Sequence, residues 1–270
     1  MCFGVRDAIA LAEKRNRASP LTIFGDLVHN ETVLANLRAR GIRTGNRIEE
    51  ITTPTVMITA HGASDKTLAA LKARGLNVLE ATCPLVHHAH GAVKTLVREN
   101  FHPVIIGRRD HVEVRGLTQD LAEFDVILTE EDALRLAGRP RFGVAAQTTQ
   151  PIDRVRHLVE LMRRHFPRSE IRFIDTVCQP TKQRQAAAIE LAQQADVVIV
   201  IGGAHSNNTR ELAATCRRFC PRVHHVTGAQ DLRAEWFSGT KTIGLAAGTS
   251  TPDSLIDEVE LRLRAMAADS

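Results

Sequence analysis

Short apolar, β-branched runs recur along the chain at 21–24, 55–59, 104–106, 126–128, 142–145, 171–174, 197–201 and 242–245. Each is strand-length and soon followed by Gly, His, Ser or Thr, which marks a strand running into a loop. Between them lie stretches with apolar residues at helical spacing, including 5–17, 31–40, 66–74, 86–99, 151–166 and 181–194. Strand, loop and helix in repeated succession predict an α/β architecture with largely parallel sheets. In such sheets ligands bind beyond the carboxyl ends of the strands. The loops that follow strands are therefore where chemistry belongs.

Those loops are rich in imidazole, hydroxyl and amide groups. They carry Val28-His29-Asn30, Ala60-His61-Gly62, His111-Val112-Glu113, Gln147-Thr148-Thr149, Ser206-Asn207-Asn208-Thr209 and Gly248-Thr249-Ser250-Thr251. Taken singly, His29, His61 and His111 read as structural histidines. Together with Thr148, Thr149, Ser206, Asn208 and Ser250 they describe a donor-rich anion pocket, able to hold a diphosphate without a P-loop. Neither G-x-x-x-x-G-K-[ST] nor G-x-G-x-x-G occurs. Glu113 reads either as a solvated carboxylate or, in an enclosed pocket, as a proton donor.

Cysteine repeats on a longer scale. Cys2, Cys83 and Cys178 each precede a helical stretch and stand roughly one third of the chain apart. A helix N-terminus favours thiolate. The spacing suggests three α/β modules, 1–83, 84–177 and 178–270, each bringing one sulfur to a common point. Three cysteines suit zinc or an iron–sulfur cluster. Zinc sites usually show close C-x₂₋₄-C pairs, which these lack. Three remote thiolates leave one corner of a cubane cluster open. Cys216 and Cys220 read as ordinary helix-end cysteines, and His87, His88 and His90 as residues of a helix face.

Composition narrows the class. With 43% hydrophobic and 24% charged residues the chain is ordinarily globular. The longest apolar run, 195–203, is broken by Asp196, so no membrane span is expected. No signal peptide is visible, and five scattered cysteines argue against a secreted disulfide scaffold. A cytoplasmic protein with reduced thiols is expected. Basic residues number 35 against 31 acidic, a net +4, but the surplus is dispersed. Aromatics are 4% and tyrosine is absent, which argues against a nucleic-acid face.

At these motifs the chain resembles the LytB/IspH family of 4-hydroxy-3-methylbut-2-enyl diphosphate reductases, the last enzymes of the methylerythritol phosphate route to isoprenoids. The likeness runs from Cys2 almost to the C-terminus. It includes Ala81-Thr82-Cys83-Pro84-Leu85-Val86, His111-Val112-Glu113-Val114-Arg115-Gly116, Gln147-Thr148-Thr149, Gln183-Arg184-Gln185 and Ala247-Gly248-Thr249-Ser250-Thr251-Pro252-Asp253. The resemblance implies a pseudo-threefold trefoil around a 4Fe–4S cluster held by Cys2, Cys83 and Cys178. It places His29, His61, Ser206, Asn208 and Ser250 on the substrate's diphosphate, with Asn207 in the same pocket. His111 would line the pocket, Glu113 would deliver protons, and Thr148 would stand beside it. It implies two-electron reductive dehydroxylation to isopentenyl and dimethylallyl diphosphate, with electrons from ferredoxin or flavodoxin. A monomer or weak homodimer is expected.

Some residues depart from the family pattern. The chain starts at Met1-Cys2, where the family carries a strand and a Pro-Arg-Gly-Phe-like lead, so an upstream segment is expected. Asn207 stands in place of a second serine, and His205 in place of an asparagine. Ala146 replaces a threonine, and Gly107-Arg108-Arg109-Asp110 replaces Gly-His-X-Gly. The competing readings are a paralogue acting on another allylic alcohol or diphosphate, and a cluster-less diphosphate-binding pseudoenzyme.

Overall fold

The computed structural model describes residues 1–28 and 30–268. Its strands form three sheets, and every pairing is parallel. In the first, β1 (Leu21–Phe24) lies between β2 (Arg43–Gly45) and β3 (Thr55–Ile58), with β4 (Asn77–Glu80) outside β3. The second repeats this order: β5 (His102–Ile106) lies between β6 (Asp125–Ile127) and β7 (Arg141–Ala146), with β8 (Glu170–Phe173) outside β7. In the third, β9 (Val197–Ile201) lies between β10 (Val223–Val226) and β11 (Ile243–Ala247), and no fourth strand follows among the described residues.

The central strands are continuous apolar runs because both faces of each sheet are covered. All five residues of β9 are buried. Val198 and Val200 face a core that includes Ala188 and Leu212, while Val197, Ile199 and Ile201 face one that includes Leu255 and Val259. Each such side chain removed from water contributes roughly 1.5–3 kcal/mol. Helical spacing is equally direct in α4 (Pro84–Arg98), where Val86, Ala89, Val93 and Leu96 form the buried stripe. Pro84 sits in its first turn, where a missing N–H breaks no helical bond.

Three helices precede the three central strands: α1 (Phe3–Asn16), α4, and α8 (Gln179–Gln194). Two glycines let α4 and α8 lie close against their sheets. A Cβ on Gly143 of β7 would fall 2.8 Å from Phe101 Cβ and 2.9 Å from Leu96 Cβ. One on Gly244 of β11 would fall 2.8 Å from Leu191 Cγ. The pattern of apolar residues does not predict β2, β4 or β10. All three are sheet edges, where one neighbour suffices and polar residues such as Arg43, Asn77 and His224 are tolerated. Two helices begin inside segments that the pattern reads as loops: α5 (Val112–Thr118) and α9 (Asn207–Arg217). Asn207 and Asn208 thus stand on a first helical turn rather than in a loop. Among the described residues no helix is long and apolar enough to cross a membrane.

Candidate active site

The three cysteines occupy equivalent places. Each is the N-cap of its helix with extended backbone: Cys2 at φ −75°, ψ 159°, Cys83 at −59°, 135°, and Cys178 at −70°, 144°. None of the three helices carries an acidic residue in its first turn. Their positive ends are therefore uncompensated and favour an anionic occupant. The backbone N–H of each cysteine donates to a carbonyl two residues beyond a strand. Cys83 bonds Ala60 after β3 at 3.1 Å, Cys178 bonds Thr148 after β7 at 2.9 Å, and Cys2 bonds Thr249 after β11 at 2.9 Å. Cys2 is therefore anchored by its own backbone even at the second position of the chain.

All three cysteines line one cavity of about 70 Å³, together with Gly4, His61, Glu113, Thr148, Thr149 and Thr181. A Cβ on Gly4 would fall 2.8 Å from Cys83 Sγ, so the start of α1 leaves room for that sulfur. Burial pushes the Cys83 and Cys178 thiols above their ordinary pKa, and the neighbouring Cys2 and Glu113 add to the rise. Thr181 Oγ1 lies 3.0 Å from Cys178 Sγ. Among the described residues no group of three His, Cys, Asp or Glu side chains converges tightly enough for a single metal ion. Thiols that surround a cavity rather than a point suit a polynuclear group, and the positive helix ends suit its negative charge.

Glu113 closes one wall of this cavity. It lies in the first turn of α5, whose N-cap His111 accepts a hydrogen bond at Nδ1 from the Glu113 N–H at 3.2 Å. Glu113 is 1% exposed. It accepts from Thr148 N–H at 2.6 Å and Thr148 Oγ1 at 2.9 Å. Desolvation outweighs these two bonds and raises its pKa from 4.5 to about 7. Near neutral pH such a group both holds and releases a proton. Thr148 thus serves both chemistries, binding Glu113 through its N–H and hydroxyl and Cys178 through its carbonyl.

A second hollow, about 30 Å³, adjoins the first and shares Val5, His61, Thr149 and Thr249 with it. Val28, His111, Ser206, Asn207, Asn208 and Ser250 complete its lining. The His61 and His111 rings meet edge to face, with centroids 5.5 Å apart. Ser206 caps α9 by accepting from Thr209 N–H at 3.3 Å, and Asn208 Oδ1 accepts from Thr249 N–H at 2.9 Å. That second bond ties the first turn of α9 to the loop after β11. Among the described residues, Asn207 Nδ2 and Ser250 Oγ are buried with no hydrogen-bond partner. Unpaired buried polar atoms are costly, and here they face a hollow that an anion's oxygens would satisfy. His29 lies outside the described residues.

The structure therefore brings Cys2, Cys83, Cys178, His61, His111, Glu113, Thr148, Ser206, Asn207, Asn208 and Ser250 to two adjoining hollows. Cys216 and Cys220 are buried free thiols in the core of the third sheet, and His87 and His88 lie exposed on α4. A roomier groove of about 850 Å³ runs past Arg47, Ser64 and Arg115, but no cysteine lines it. Sequence reasoning passed over Gly4 and Thr181. The signal for Thr181 was its place three residues after a cysteine.

These features define a class: α/β proteins of three parallel sheets in which cysteine-capped helices meet at one cavity beside a hollow lined by hydroxyl, amide and imidazole groups. A family profile described as LytB protein matches residues 1–264, and the chain belongs to that family. It is 36% identical over 266 residues to a 4-hydroxy-3-methylbut-2-enyl diphosphate reductase of Geobacter metallireducens, covering 97% of this chain and 93% of that protein. It is 35% identical over 269 residues to the Aquifex aeolicus protein of that name, covering 97% and 92%. A solved structure of (E)-4-hydroxy-3-methyl-but-2-enyl diphosphate reductase, described as the terminal enzyme of the non-mevalonate pathway, superposes with a TM-score of 0.70. It shares 35% identity and covers 98% of this chain and 96% of its own. The solved Plasmodium falciparum E-1-hydroxy-2-methyl-but-2-enyl-4-diphosphate reductase superposes with a TM-score of 0.89 at 25% identity, covering 98% and 84%.

Proposed function

We propose that this chain reduces 4-hydroxy-3-methylbut-2-enyl diphosphate to isopentenyl and dimethylallyl diphosphate. The reaction removes a hydroxyl, consumes two electrons and two protons, and releases water. The observation that carries this reading is the shared cavity of Cys2, Cys83 and Cys178 with buried Glu113 on its wall. Cys2, Cys83 and Cys178 are the ligands of a 4Fe–4S cluster in this proposal. When bound, the cluster supplies one-electron reduction and a Lewis-acidic iron at its open corner.

The remaining chemistry belongs to the polypeptide. His61, Ser206, Asn207, Asn208 and Ser250 bind the diphosphate, and His29 is assigned to the same task. Their fixed donors orient the allylic hydroxyl toward the cysteine cavity. Glu113 holds a proton on its carboxyl near neutral pH and passes it to the departing oxygen. The Thr148 hydroxyl orients that carboxyl, and His111 lines the hollow assigned to the diphosphate. We assign the chain to the cytoplasm as a monomer or weak homodimer, in three modules at 1–83, 84–177 and 178–270, with a small one-electron protein such as ferredoxin or flavodoxin as donor.

Anaerobic purification followed by iron, acid-labile sulfide and electron paramagnetic resonance measurements tests the reading. About four irons per chain are expected, with conversion of the hydroxylated diphosphate by the reduced protein. A chain that takes up no iron and sulfide on reconstitution overturns it. A second reading, a relative acting on another allylic diphosphate, is favoured by the buried Asn207 amide, which has no partner among the described residues. Cluster-loaded protein that turns over such a substrate faster would select it.

A further inference from the structure

The three sulfurs are not equivalently surrounded. The residue three positions after each cysteine lines the same cavity: Val5 after Cys2, Val86 after Cys83 and Thr181 after Cys178. Two modules place a methyl group where the third places a hydroxyl. Thr181 is fully buried. Its Oγ1 lies 3.0 Å from Cys178 Sγ, its one hydrogen-bond partner among the described residues. A buried hydroxyl is costly unless paired. Valine, of nearly the same shape, fills the equivalent place twice in this cavity. Packing therefore does not require the oxygen, and the atom it meets is a sulfur.

We propose that Thr181 tunes the redox potential of the group held by the cysteines, by donating a hydrogen bond from Oγ1 to Cys178 Sγ. The inference rests on the cluster reading above. A metal-bound thiolate carries no proton, so in that state the threonine hydroxyl is the donor and the sulfur the acceptor. A hydrogen bond to a ligand sulfur offsets negative charge. It stabilises the reduced, more negative state over the oxidised one and raises the potential. Cys2 and Cys83, with valine at the matching place, receive no such side-chain bond among the described residues. The tuning falls on one sulfur of the three.

The test compares wild type, Thr181→Val, Thr181→Ser and Val86→Thr, each reconstituted anaerobically as the full chain. Iron and sulfide contents are measured first. A wild type that takes up no cluster overturns the cluster reading and this inference with it. Where wild type loads, midpoint potentials are read by dye-mediated titration with electron paramagnetic resonance detection, which a packing role alone does not move. Thr181→Val should lower the ratio of reduced to oxidised protein at fixed potential at least threefold, about 28 mV for a one-electron couple at 59 mV per tenfold. Thr181→Ser, which keeps the hydroxyl, should stay with wild type. Val86→Thr gives Cys83 the same donor and should move the potential upward. A change under threefold in equally loaded Thr181→Val overturns the proposal and leaves the cluster reading standing. If Thr181→Val loads poorly, Val86→Thr decides, and the lack of an upward shift overturns the proposal.

Discussion

Replacing Glu113 by glutamine should make the cluster-free protein more stable at alkaline pH. Glutamine has nearly the same shape, and both contacts survive. Its Oε1 can accept from Thr148 N–H, and its amide can donate to Thr148 Oγ1, taking over the two positions now held by the carboxylate. What disappears is the cost of ionising a group that is 1% exposed. The folded protein binds the Glu113 proton with a pKa of about 7, against an ordinary 4.5. Stability from the protonated carboxyl is therefore fully present below about pH 4.5 and is lost as the pH rises through about 7. At about 1.4 kcal/mol per pH unit, that rise corresponds to roughly 3 kcal/mol.

The assay is paired denaturation of wild type and variant, without metal and under reducing conditions, from pH 5 to 8.5. Other titrating groups are common to both chains and cancel in the difference. The Glu113→Gln advantage should grow by about 2.5 kcal/mol across this range, or roughly 5 °C in melting temperature at about 2 °C per kcal/mol for a chain of this size. A stability difference that stays flat with pH would refute the reasoning, because it would mean that the carboxyl is not desolvated.

Three further outcomes are expected. Thr148→Val removes the hydroxyl bond to Glu113 but keeps the backbone one, so the Glu113 pKa should rise further. The alkaline limb of the reductase pH–rate profile should then move to higher pH, and an unmoved limb would separate Thr148 from proton delivery. Gly143→Ala forces a methyl group against Phe101 and Leu96 and should destabilise by about 1–3 kcal/mol, measured by urea denaturation at pH 7. Cys83→Ser should leave the secondary structure seen by circular dichroism intact but abolish tight iron and sulfide uptake. A variant that still holds about four irons would remove Cys83 from the ligand set.

Much of this site was legible because it is built at strand ends. Six of the loops singled out for their His, Ser, Thr and Asn content follow the six strands β1, β3, β5, β7, β9 and β11. Periodicity alone finds those strands because parallel, two-faced burial leaves them apolar. The cysteines were legible as helix starts for a similar local reason. What escaped was nonlocal. Whether Glu113 is solvated or enclosed depends on Thr148, 35 residues away, and nothing within His111-Val112-Glu113 decides it. The edge strands β2, β4 and β10 escaped because one-sided pairing puts little demand on side chains. The first turn of α9 escaped because Asn207, Asn208 and Thr209 are loop-like by type and helical only through the cap at Ser206.

The carbonyls that receive the three cysteine N–H groups make the site a property of the ring rather than of any one sheet. Ala60, Thr148 and Thr249 lie on the turns after β3, β7 and β11 and hold the cysteines that open α4, α8 and α1. The third of these bonds joins a residue near the end of the chain to one at its start. The chain is linear, but its hydrogen bonding is cyclic. Such a closure has no privileged first member, so the three cysteine-capped helices share one fate. Loosening any junction releases a sulfur and opens the cavity for the other two. Loading with iron and sulfide should consequently behave as an all-or-none report on the docking of the whole polypeptide, and partial occupancy in a population would count closed rings rather than partly filled ones.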